Sequence, residues 1–174
     1  VVPIELVWFI VVLIFALVGI VRGYLKELGV TTVMVVVLFA IITFEGRLVP
    51  VVIRLVQAAG EVEVVVWQTA LWAIGLVFAA FISYQGETLA FEGKQPKSGM
   101  LAMFLNASSG LVNGYLIAGG IWYYVDRLGY PFLGLKPEHL TPFARQLLLL
   151  MPQTLLAPYL LYIAVFLVLM RVIR

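Results

Sequence analysis

The sequence contains no cysteine and a single histidine. Without thiols there can be no disulfide framework, no thiolate nucleophile, no iron–sulfur cluster and no cysteine-ligated zinc. The one histidine, His139, falls in the polar stretch Leu135-Lys136-Pro137-Glu138-His139-Leu140. It has neither a second histidine nor a thiol to complete a ligand set, so no metal, haem or other cofactor is expected. Charge is also scarce. Only 11% of the 174 residues are charged, against 64% hydrophobic, and mean hydropathy is +1.12. A soluble surface needs roughly 25–35% charged residues, so the expected solvent is lipid. Phosphate-binding loops, H-E-x-x-H helices, paired catalytic carboxylates and Ser-His-Asp sets are likewise missing, and no enzymatic activity is expected. The net charge of +2 and pI near 9.0 come from basic residues standing singly between apolar runs, which is the pattern of membrane flanks and not of a nucleic-acid surface.

Long uncharged runs dominate what remains. A hydrocarbon core about 30 Å thick needs around 20 apolar helical residues. Runs of that kind predict an all-α, polytopic transmembrane bundle of one domain, 1–174, with spans at about 3–21, 28–44, 64–86, 99–125 and 153–171. The fifth run is interrupted by Pro152 and Pro158, each of which removes a backbone donor. Two segments, about 48–60 and 141–151, are too short to cross and read as interfacial amphipathic helices. A cleaved signal peptide is the rival reading of the first run, but it has no basic head and leads directly into a basic turn and another apolar run.

Five spans place Arg22, Lys26, Lys94, Lys97, Arg171 and Arg174 on one side and Arg47, Arg54, Arg127, Lys136 and Arg145 on the other. This small excess orients the amino terminus outside and the carboxyl terminus in the cytoplasm. Trp8, Trp67, Trp72, Trp122, Tyr123 and Tyr124 fall near span ends, where rings of this kind anchor in the headgroup layer.

No ionisable residue is expected near the centre of a span. Glu5, Arg22, Glu45, Asp126 and Arg171 all fall at ends, and Arg22 and Glu27 in a turn, which argues against a proton path. Asp126 and Arg127 read as a local surface pair. The fourth span is unusual in carrying Asn106, Ser109 and Asn113 among small residues. Gly110, Gly114 and Ala118 recur every four residues and form one face that admits a close helix. Ala16, Gly19 and Gly23 make a second such face on the first span, so the two helices are expected to pack together. Asn106, Ser109 and Asn113 could alternatively line a polar path. Thr31, Thr32, Gln68 and Thr69 are expected to make interhelical contacts or bonds back to their own helix.

Two stretches carry a resemblance. Gly19-Ile20-Val21-Arg22-Gly23-Tyr24-Leu25-Lys26-Glu27-Leu28 and Asn106-Ala107-Ser108-Ser109-Gly110-Leu111-Val112-Asn113-Gly114 resemble the colicin V production protein family, over about Pro3 to Asp126. The resemblance implies a bacterial inner-membrane protein linked to toxin production or export and to envelope homeostasis. The segment Tyr130–Arg174 departs from that pattern and reads as an added span that could dock to a larger assembly. The expected role is a non-catalytic scaffold or accessory subunit in the lipid bilayer, packed against other membrane subunits through its small-residue faces, with respiratory, photosynthetic and export complexes as possible homes. The alternative is a small-solute channel or toxin-export component with a polar path at the fourth span.

Overall fold

The computed structural model describes residues 3–58, 60, 63–85, 90–93, 99–131 and 133–173. Lys94, Lys97 and Arg174, which enter the charge comparison above, lie outside the described residues, as does the expected end of the third span at 86. The architecture is all-α, with helices α1 (Ile4–Arg22), α2 (Tyr24–Ala58), α3 (Val64–Gln85), α4 (Met100–Arg127), α5 (Pro142–Leu148), α6 (Pro152–Leu155) and α7 (Leu160–Val172). Four of these, α1 to α4, are long and apolar enough to cross a membrane. The protein is membrane-embedded.

Glycine sets the first connection. Gly23, at φ +87°, is the single residue between α1 and α2, a backbone conformation that side-chain-bearing residues rarely adopt. Its N–H closes the last turn of α1 on the Gly19 carbonyl, and its own carbonyl accepts from the Glu27 N–H. The result is a helical hairpin with almost no loop.

α2 differs from expectation. The second span and the segment at 48–60 are one helix of 35 residues that runs through Pro50, about 50 Å at 1.5 Å per residue. A proline inside a helix costs one hydrogen bond and bends the axis, but apolar neighbours on both sides keep the turns in register. Gly29, Val30, Thr31 and Thr32 are consecutive and all buried, so this part of α2 is enclosed on every side. The enclosing helices are α3, α4 and α7. Val30, Met34 and Leu38 of α2, Leu76 of α3, Leu116 of α4 and Leu160 of α7 are fully or almost fully buried in the central cluster.

The last apolar run is divided. α5 begins at Thr141, whose hydroxyl accepts from the Ala144 N–H as an N-cap. By Leu150 the chain has already descended along α4, since the Tyr115 hydroxyl donates to the Leu150 carbonyl at 2.6 Å. Pro152 packs on Gly119, and Gln153 donates to the Gly120 carbonyl at 3.0 Å. α7 then runs beside α2 with Leu160, Ala164 and Leu167 inward. Its 13 residues fall short of a span alone. α6 and the turns at 156–159 precede it, so the expected fifth span at 153–171 is not one continuous helix.

Trp72, Trp122 and Tyr124, expected near span ends, face into the protein and are buried. Trp122 donates to the Tyr130 hydroxyl at 2.9 Å, and Trp72 lies against Tyr124. Trp67 is exposed, as an interfacial anchor would be. The sequence pattern places aromatic rings near helix ends but does not say which side of the helix they take.

Candidate functional site

The close approach of α1 and α4 is built by removing side chains. A Cβ on Gly110 would stand 3.0 Å from the Cα atoms of both Ala16 and Gly19, and one on Gly114 would stand 2.9 Å from the Cα of Val12. Neither helix can therefore carry a larger residue at these points without moving apart. The structure brings Ala16, Gly19, Gly110 and Gly114 into one seam. Ala118 is one turn beyond it. There the helices have already separated around an apolar cavity of about 240 Å³, lined by Trp8, Ala118, Trp122 and Leu133 among others. Gly23 forms the hairpin turn and not the seam.

At the turn end of that seam the polar residues of four helices converge. Glu27, which the sequence places in a solvated turn, is 0% exposed. Its Oε2 accepts from the Asn113 amide at 2.8 Å and from the Tyr84 hydroxyl at 2.9 Å. Its Oε1 lies 3.4 Å from Arg22 Nη1, an ion pair without hydrogen-bond geometry, so both atoms lack a hydrogen-bond partner. Arg22 also donates through Nη2 to the Tyr84 carbonyl at 3.2 Å and lays its guanidinium over the Tyr84 ring, 4.5 Å from the centroid. The Asn113 amide nitrogen further reaches the Glu27 carbonyl at 3.0 Å, and its Oδ1 accepts from the Thr31 hydroxyl at 2.7 Å.

Burial makes this cluster costly. Asn113 is at the middle of α4, about 20 Å from Met100. Met100 is 89% exposed and Phe104 66%, so the apolar surface of α4 continues past the hairpin turn. The carboxylate is therefore buried within the bundle but near one end of its helix, four residues past the Gly23 turn and 18 residues, about 27 Å, from Glu45, which keeps it away from a span centre. A buried ion pair is tolerated only when its remaining valences are met. Here an arginine, a phenol and an amide meet most of them. Phe91 covers the turn from below, buried and donating its N–H to the Leu25 carbonyl.

Asn106 is about two turns lower. Its Oδ1 accepts from the Tyr24 N–H at 2.9 Å, capping the first turn of α2, which lacks an intrahelical acceptor there. Ser109 bonds back to the Asn106 carbonyl at 2.9 Å. Asn106 and Asn113 are thus on one stripe, as their spacing predicts, but both are committed to α2. Thr32 and Thr69 bond back to Leu28 and Val65 of their own helices.

The opposite end holds a second set of charges. Arg127 pairs with Glu45 of α2 through both carboxylate oxygens at 2.9 Å, in place of the local pair with Asp126 expected from sequence. Glu5 is buried and accepts from the Thr141 hydroxyl at 2.8 Å, which ties α1 to the start of α5. Burial, reinforced by Asp126, holds the Tyr130 phenol well above its usual range, so it stays protonated. His139 is in an exposed turn, its Nδ1 accepting from the Lys136 N–H at 3.2 Å.

Arg22, Glu27 and Tyr84 are the residues that sequence reasoning missed. One signal was available. Two asparagines seven residues apart in a membrane helix require polar partners at matching depth, and the short Gly23 turn lets Glu27 and Thr31 reach them. No family model, curated protein or solved structure matches this chain.

Proposed function

We propose that the chain is a non-catalytic membrane scaffold or accessory subunit that packs against other membrane proteins. The observation that supports this reading is the commitment of Asn106, Ser109 and Asn113 to bonds within the bundle. Above Asn113 the interior is packed by Met34, Leu38, Leu76 and Leu116, and the buried amide of Gln153 beside them is spent on the Gly120 carbonyl. The small-residue seam is consumed inside the chain, between α1 and α4. Partners therefore dock elsewhere than on the glycine faces. The two stretches that resemble the colicin V production family meet at Glu27 and Asn113; that resemblance points to a bacterial inner membrane, and the small excess of basic residues on the hairpin side to an amino terminus outside and a carboxyl terminus in the cytoplasm.

Purification in mild detergent from the native membrane tests the reading. Stoichiometric companion subunits are expected, and a chain that stays monomeric throughout overturns it.

The export or small-solute channel is the second reading, favoured by the buried carboxylate of Glu27, whose Oε1 has no hydrogen donor. The double replacement Asn106→Leu with Asn113→Leu separates the two. A scaffold loses thermal stability and shows no flux in reconstituted vesicles before or after. A channel loses a measurable flux while its fold persists.

A further inference from the structure

α2 outlasts its bundle. The Glu45–Arg127 pair marks the end of α4, and at the same level Gln68 of α3 and Glu45 of α2 line one cleft. Beyond Glu45, α2 continues to Ala58 for about 20 Å. Glu5, Asp126, Arg127, Lys136, Glu138 and Arg145 gather at or near that level, which fixes it as a polar boundary of the membrane. The extension therefore stands in water.

It is badly suited to water. Phe44, Leu48, Val51 and Leu55 are 45, 43, 52 and 67% exposed. Their spacing of four, three and four residues places them in one stripe, the geometry by which one helix seats another. Arg47 and Arg54, seven residues apart, flank that stripe on one side and are exposed, with no ion pair or hydrogen bond to another described residue. The one acid of the stalk, Glu45, is already held by Arg127. An apolar seam bordered by two uncompensated guanidinium groups fits a partner whose own apolar face is bordered by carboxylates.

We propose that residues 44–55 of α2 form an extramembrane docking stalk for an acidic amphipathic helix of another protein. This rests on the scaffold reading and gives it a surface. A second copy is a poor occupant, because a parallel pairing sets Arg47 against Val52 of the other chain and offers the guanidinium no acid. A lipid surface is also a poor occupant. α2 is helical without a break from Tyr24 to Ala58, and a proline bend falls far short of the right angle that would lay the stalk on the membrane.

The absence of cysteine makes the test direct. Leu55→Cys gives the full chain one thiol, to be labelled with an environment-sensitive fluorophore and reconstituted in lipid nanodiscs. The probes are two designed amphipathic peptides with one apolar face, one flanked by glutamates and one by lysines. The acidic peptide is expected to shift the emission saturably, and Arg47→Glu with Arg54→Glu to weaken its binding about tenfold or more. Equal binding of both peptides, or none of either, overturns the proposal. So does quenching of the label by nitroxide lipids, which places the stalk in the bilayer. A disulfide that joins two copies of the unlabelled Leu55→Cys variant also overturns it, because it assigns the stripe to a homodimer. Failure here with companion subunits still recovered in mild detergent leaves the scaffold reading standing and moves its contact surface.

Discussion

Asn113 shows how much one amide can hold. It donates to the carboxylate and the main-chain carbonyl of Glu27 and accepts from Thr31, so three interactions between α2 and α4 pass through a single side chain. Asn113→Leu leaves a buried carboxylate with one donor fewer and is expected to cost roughly 3 kcal/mol, read as a large fall in the unfolding temperature of the purified protein. A variant as stable as the parent would mean that the cluster is not structural. The Glu45–Arg127 pair gives the contrast. Arg127 is half exposed, so a double-mutant cycle over Glu45→Gln and Arg127→Gln should return no more than about 1 kcal/mol of coupling. At this scale the sequence was only half legible. The asparagines and the seam glycines announce themselves by residue type and spacing. Glu27 did not, because a charge five residues from an arginine beside a glycine reads as solvated until the shortness of the turn, and the loop folded over it, are known.

Among the elements, the α1–α4 pair has the least tolerance. Gly110→Ala places a methyl group against the Cα atoms of Ala16 and Gly19, both backbone and unable to yield locally. It is expected to destabilise by about 1–3 kcal/mol. Gly75→Ala on α3 meets nothing within 4 Å and should be neutral or mildly stabilising, since alanine favours the helix by about 0.8–1.0 kcal/mol over glycine. Equal thermal shifts for the two variants would remove the seam as a determinant of the fold. Helix existence and type followed directly from the apolar runs, and the ends of α1, α3 and α4 fall close to those expected. The extent of α2 did not follow, since Pro50 and Arg54 argue locally for a boundary, and only continued packing at the base of the stalk carries the helix past them. The divided final run was legible as a proline problem but not in its outcome.

For the whole molecule, the decisive property is which ends share a side. The hairpin turn, the segment at 90–93 and the carboxyl end of α7 lie together, while the start of α1, the stalk and α5 lie at the other end. Single cysteines introduced by Glu63→Cys and Ile173→Cys, labelled with a membrane-impermeant maleimide in oriented vesicles, should react from opposite faces. Reaction of both from one face would mean that α7 turns back inside the bilayer. The five-span expectation depended on whether Pro152 and Pro158 end a helix or only bend it, and nothing local in the chain decides that.

The single-residue link at Gly23 also bears on biosynthesis. Arg22 and Glu27 leave the ribosome almost together, on the two arms of one hairpin, whereas Asn113 follows Glu27 by 86 residues. Opposite charges that emerge this close can neutralise one another at the translocon, so the first two helices enter the bilayer as a unit and neither can be inverted alone. The acid is then paired with its arginine, gains the Tyr84 hydroxyl when the third helix follows, and has its coordination completed by Asn113 of the fourth. Maturation of the bundle is therefore ordered in time, with the hairpin as its founding piece and the seam closed only once the fourth helix is made.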